Sequence, residues 1–121
     1  MDKDTTLEEL KAKVKDFCEL RDWSIFHNPK ELAIGISTEA NELLQIFRFK
    51  SEKEMSKLMT SERKVEIEEE LADVFYFVLR FAQMNSIDLS TAIDDKLKKN
   101  NQKYPAEKAK GCNKKYNEFD N

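Results

Sequence analysis

An all-α fold of the four-helix-bundle type is what this chain of 121 residues predicts, and three observations carry it. Only two Gly and two Pro are present, too few to serve the turns of a strand-rich fold. Hydrophobic residues make up 40% of the chain and charged residues 37%, the mixture that amphipathic helices need. Apolar side chains also recur at three- and four-residue spacing along most of the sequence.

The first helix is expected to be capped by Thr5 or Thr6, with Glu8 or Glu9 completing a capping box, and to end near Asp22. Its buried stripe is Leu7, Leu10, Val14, Phe17 and the aliphatic stem of Arg21. Trp23 through Pro29 is rich in rings and lacks a helical period. Asn28-Pro29, with Glu31 three residues after the asparagine, opens a second helix that runs to about Phe49. Ser51 to Thr60 is polar apart from Met55, Leu58 and Met59 and reads as a mobile connection.

Ser61 is the expected cap of a third helix reaching about Asn85. Its apolar residues cover most of the circumference, so this helix is central or shared with a second subunit. Ile67, Leu71, Val74, Phe75, Val78 and Ala82 form its conventional core face. Asp88 caps a fourth helix holding Leu89, Ala92, Ile93 and Leu97, which loses its pattern before Tyr104-Pro105. Residues 96 to 115 carry eight Lys against one acid, Glu107. The expected organisation is one helical domain over residues 1–104 and a partly flexible basic arm over 105–121.

Charge and composition exclude several functions. The 21 Lys and Arg nearly balance the 24 Asp and Glu, leaving −3, so neither nucleic acid nor a membrane is the expected partner. Cys18 and Cys112 lie far apart and give no disulfide framework or CxxC metal site. A polar start and the lack of any apolar run near about 18 residues predict a cytoplasmic chain without signal peptide or anchor. The single histidine, His27, excludes the Glu-x-x-His pairs of a di-iron bundle.

Two acidic pairs stand in unusual places. With about 100° per residue, Glu39 falls inside the Leu32, Ile36, Leu43 stripe of the second helix, and Glu42 lies at its border. On the third helix Glu70 and Asp73 share a side with Phe77, Phe81 and Met84. Two helices with acids at i, i+3 can aim four carboxylates into one space, which suits a hard cation such as Mg²⁺. A solvated acidic face is the alternative on the pattern alone, and for Glu68 and Glu69 it is preferred.

Arg21-Asp22-Trp23, Phe26-His27-Asn28-Pro29, Glu39-Ala40-Asn41-Glu42, Glu69-Glu70-Leu71-Ala72-Asp73-Val74, and Asn100 before Lys103-Tyr104-Pro105 follow one another in register. Together they resemble the MazG-like nucleotide pyrophosphohydrolases, in particular their dCTP pyrophosphatase branch, over about residues 17 to 116. The resemblance implies hydrolysis of a nucleoside triphosphate to monophosphate and pyrophosphate, with Glu39, Glu42, Glu70 and Asp73 as catalytic ligands of Mg²⁺. Clustered cations would neutralise the triphosphate, polarise its α-phosphoryl group and acidify a bound water. It also implies a homodimer or homotetramer, the bundle being completed by dimerisation.

By the same likeness Trp23 and His27 lie near the base, while Lys96, Asn100, Lys103 and Tyr104 close over phosphates and sugar. Phe49 stands at a position resembling a tryptophan site and Phe77 at one resembling a tyrosine site. Thr38 precedes Glu39 where many members carry a second glutamate. The plainer readings are a core role for Trp23, an ordinary loop role for His27 and a solubilising role for the lysines. dCTP or a modified dCTP is the leading substrate, in nucleotide-pool sanitation. The rivals are dUTP, an oxidised purine triphosphate, or a helical regulator that binds nucleotide without turnover.

Overall fold

The computed structural model describes residues 1–119, and every regular element among them is helical, without a strand. The chain forms two compact units, Met1–Ile87 and a second that begins at Asp88. The first unit contains α1 (Leu7–Glu19), α2 (Pro29–Phe47), α3 (Glu52–Met59) and α4 (Lys64–Met84). The second contains α5 (Leu89–Lys103) and the single turn α6 (Ala106–Ala109).

Thr6 caps α1, its hydroxyl accepting from the Glu9 amide at 3.1 Å. The helix stops at Glu19, short of Asp22, because a left-handed Asp22 turns the chain into a 3₁₀ turn over Trp23–Phe26. Arg21 and Phe17 do not join the buried stripe: both are exposed, and the Arg21 guanidinium lies 3.8 Å from the Phe17 ring centroid. The deepest residue of α1 is Cys18, fully buried, with Sγ hydrogen-bonded to Tyr76 Oη of α4 at 3.0 Å.

Asn28 caps α2 as its sequence predicts, accepting from the Glu31 amide at 2.9 Å, with Pro29 at the first helical position. The expected mobile connection is instead α3. Ser51 and Glu54 form a reciprocal capping box at 3.2 Å in each direction, and Leu58 is buried. Nor does Ser61 cap α4. Its hydroxyl donates to the Leu58 carbonyl at 3.0 Å and accepts from the Arg63 amide, closing a turn, and α4 begins at Lys64.

The principal packing is α4 against α2, with α1 on another side of α4. Gly35 of α2 lies against the Phe77 ring, where a Cβ would stand 2.5 Å from Cδ1. One turn along each helix, Glu39 of α2 meets Asp73 and Glu70 of α4. Moving toward the C-terminus of α2 therefore means moving toward the N-terminus of α4, so the pair is antiparallel.

This pairing corrects the predicted core face of α4. Ile67 and Ala82 are buried, but Leu71 and Phe75 are 56% and 40% exposed. With Val74 and Val78 they line an open apolar cleft. The face turned to α2 is the mixed one that carries Glu70, Asp73 and Phe77.

In the second unit Asp88 caps α5, accepting from the Thr91 amide at 2.8 Å. Its Ile93 and Leu97 are more than half exposed. Tyr104, at the end of α5, meets the edges of Tyr116 at 6.1 Å and Phe119 at 5.7 Å, and Lys103 Nζ stands 5.1 Å from the Tyr116 ring centroid. The basic segment thus carries its own aromatic cluster.

Candidate active site

Carboxylate oxygens of Glu39, Glu70 and Asp73 all lie within 4.8 Å of one another. The antiparallel pairing explains this convergence. Successive turns of α2 and α4 set Gly35 against Phe77 and then the acids against each other, so the apolar contact determines where the charges meet. Glu42, one turn beyond Glu39, is exposed, yet it reaches hydrogen-bonding range of both Glu39 and Glu70. All four predicted acidic residues are therefore brought together, with Glu39, Glu70 and Asp73 as the tight group.

Among the described residues no basic side chain is ion-paired with this cluster; Lys15 pairs with Glu19 and Arg63 with Glu66. Oε2 of Glu39 and Oε2 of Glu70 are shielded from solvent and accept from no donor. Burial of Glu39, reinforced by the hydrogen bond and charge of Glu42 and then the charges of Asp73 and Glu70, pushes its carboxyl up to about 7. Glu70 is pushed up from the ordinary glutamate range by burial first and by Glu42 next. Without a counter-charge the cluster takes up protons, as crowded carboxylates must.

A cation would satisfy what the protein leaves open. Every donor is a carboxylate oxygen, the three groups are within mutual reach, and two oxygens lack any partner. That set fits a hard divalent ion.

The ring-bearing residues divide into separate groups. Trp23, 38% exposed, meets Phe17 edge-on at 5.7 Å and His27 at 6.4 Å, so it is neither a sealed core plug nor free of the body. His27 is half-buried. Phe77 packs on Gly35 and against Tyr76 at 5.0 Å. Phe49 is 89% exposed just after α2, in a left-handed conformation unusual for a bulky residue, with Arg48 over its ring at 4.7 Å. Lys96, Asn100, Lys103 and Tyr104 belong to the second unit; the first three follow one side of α5 at helical spacing and Tyr104 stands just past its end.

One residue beneath this surface escaped the sequence reading. Arg80 of α4 is fully buried, and its guanidinium donates to His27 Nδ1 at 2.9 Å, to Ser24 Oγ at 3.0 Å and to Gln83 Oε1. The available signal was a single cation within the otherwise apolar run from Val74 to Ala82.

Comparison with known proteins places this arrangement in a class. The model of the MazG-like family matches residues 34–119. Human dCTP pyrophosphatase 1 is 32% identical over 115 residues, covering 94% of this chain and 68% of the human protein. The mouse dCTP pyrophosphatase 1 is 30% identical over the same shares. A crystal structure of a pyrophosphatase from Archaeoglobus fulgidus superposes with a TM-score of 0.76 at 39% identity, over 81% of this chain and 91% of that one. The fold and these likenesses define an enzyme of the nucleoside triphosphate pyrophosphohydrolase class. The chain belongs to the MazG-like family.

Proposed function

We propose that the chain hydrolyses dCTP, or a dCTP modified on its base, to the monophosphate and pyrophosphate, with Mg²⁺ held by Glu39, Glu42, Glu70 and Asp73. The single observation that supports this most is the acidic cluster, in which, among the described residues, two buried carboxylate oxygens have no partner and no basic side chain forms an ion pair. The relatives named for dCTP supply the substrate. When bound, Mg²⁺ would supply positive charge to the phosphates and polarise the phosphorus under attack.

The chain's own residues then have distinct tasks. Glu39, Glu70 and Asp73 hold the ion from two helices whose spacing is fixed by Gly35 and Phe77. Glu42, exposed like Asp73 but outside the tight group of three, is free to change its hydrogen bonding as the ion binds. Trp23 and His27 receive the base, with Phe49 and Phe77 as further ring contacts. Lys96, Asn100, Lys103 and Tyr104 are assigned to phosphates and sugar on the family likeness.

The working form is a homodimer or a homotetramer of dimers, in which the open cleft lined by Leu71, Val74, Phe75 and Val78 is covered. The cluster and the family together favour an enzyme acting in nucleotide-pool sanitation over a silent nucleotide-binding regulator.

The test is a panel of nucleoside triphosphates incubated with Mg²⁺ and resolved by chromatography. Monophosphate and pyrophosphate in equal amounts, fastest from dCTP or a 5-substituted dCTP, is the expected result. Faster turnover of dUTP or an oxidised purine would move the substrate, and nucleotide binding without any product would replace the enzyme with the regulator.

A further inference from the structure

Arg80 is the only charged side chain among the fully buried residues described, and no carboxylate pairs with it. A guanidinium removed from water is costly unless its donors are used. Here the acceptors are all neutral: an imidazole nitrogen, a hydroxyl and an amide oxygen. Because the group has no exposed surface, no dissolved anion can reach it. Its charge acts on the residues it touches.

The contact with His27 has a definite chemical consequence. Arg80 Nε carries a hydrogen and can only donate, so His27 Nδ1 must be the acceptor and must be unprotonated. Protonating Nδ1 would set two donors and two positive charges face to face. The imidazole is therefore neutral, with its one proton on Nε2. Nε2 has no hydrogen-bond partner among the described residues, and the ring is half-buried beside Trp23. Ser24 and Gln83 hold the guanidinium from its other nitrogens, so the 3₁₀ turn and α4 are fixed together behind the imidazole.

We infer that Arg80 is a positioning residue that locks His27 in the Nε2–H form and presents that N–H as a hydrogen-bond donor to a ring acceptor of the nucleotide base. The base contact rests on the function proposed above; the lock on the imidazole does not. Burial, then the nearby Arg80 charge, also lower the His27 pKa, consistent with a ring that stays neutral. Cytosine O2 or N3, uracil O2 and purine N7 are acceptors of the kind such a donor would meet.

His27 is the only histidine, so its ring nitrogens can be read without assignment ambiguity. Long-range proton–nitrogen NMR of the full chain, free of nucleotide, should show the Nε2–H tautomer alone in the wild type and mixed tautomers in Arg80→Met and Arg80→Lys. A wild-type ring protonated at Nδ1 would overturn the lock even if neither variant folds. In hydrolysis of dCTP, Arg80→Lys should raise KM by roughly 3- to 10-fold, the worth of one hydrogen bond, with kcat within about twofold. His27→Leu should do the same, His27→Gln should restore much of the loss, and Arg80→Lys combined with His27→Leu should add little to either change. Unchanged KM in Arg80→Lys and His27→Leu, in an enzyme that turns over dCTP, would overturn the base contact. A chain with no turnover of any triphosphate would sink the proposed function and, with it, the base contact, while the tautomer still decides the lock.

Discussion

Gly35 and Phe77 form the closest helix-to-helix approach that the glycines of this chain make: a Cβ at position 35 would lie 2.5 to 2.8 Å from three carbons of the ring. Glu39 is one turn beyond Gly35, and Asp73 one turn before Phe77. The spacing of the acids is thus inherited from an apolar contact. Gly35→Ala should cost about 1–3 kcal/mol in thermal or denaturant unfolding, because the ring is the backstop and not a flexible tip. It should also weaken Mg²⁺ binding, and adding Phe77→Leu should recover part of the stability.

Removal of a ligand should separate folding from function. Glu39→Gln, Glu70→Gln and Asp73→Asn are each expected to reduce hydrolysis by at least about 100-fold. In the absence of metal the same variants should melt at the wild-type temperature or above it, since each removes one member of an uncompensated cluster. Calorimetry with and without Mg²⁺ checks both halves, because the stabilisation by the ion should vanish with the ligands.

The cluster also sets the sign of a pH dependence. Glu39 titrates near 7 in the folded chain against about 4.5 when unfolded, so the folded state binds the extra proton between those values. Its contribution to metal-free stability is present below about pH 4.5 and is lost as pH rises through 7, in the same direction as Glu70. The metal-free melting temperature should therefore fall from pH 5 to 8 relative to Glu39→Gln. Mg²⁺ should remove that difference at pH 8 and matter little at pH 5.

Ser51→Ala tests whether α3 is a real element. Loss of the hydroxyl that accepts from the Glu54 amide should destabilise the first unit by about 1 kcal/mol and speed amide exchange across Glu52–Met59. It should leave nucleotide hydrolysis close to normal.

Leu71→Lys, on the open apolar side of α4, should shift the molecular mass measured by light scattering from that of the proposed dimer or tetramer toward the monomer. Unchanged mass would remove this cleft from the subunit interface.

Periodicity and caps made most helices legible. Asn28-Pro29-Lys30-Glu31 and Asp88 announce their helices through local hydrogen bonds that need no tertiary context. The short α3 was obscured because Met55, Leu58 and Met59 are few, although Ser51 and Glu54 already spelled a capping box. Ser61 looked like a cap for α4, but its hydroxyl is engaged with the Leu58 carbonyl of the preceding turn. On α4 the helical period groups residues by side but does not say which side meets α2, and Leu71 and Phe75, on the more apolar side, stand exposed. The convergence of Glu39, Glu42, Glu70 and Asp73 was readable because each pair repeats at one turn. Arg80 was not, since a buried cation depends on three acceptors drawn from distant positions.

The most direct measurement is anomalous diffraction from crystals of the protein grown at pH 8 with Mn²⁺ in place of Mg²⁺. A peak within coordination distance of carboxylate oxygens of Glu39, Glu70 and Asp73, absent in crystals of Glu39→Gln, is the expected result. Saturating Mn²⁺ that leaves those three carboxylates without an ion, or an ion bound equally well in Glu39→Gln, would contradict a metal-dependent hydrolase built on the meeting of α2 and α4.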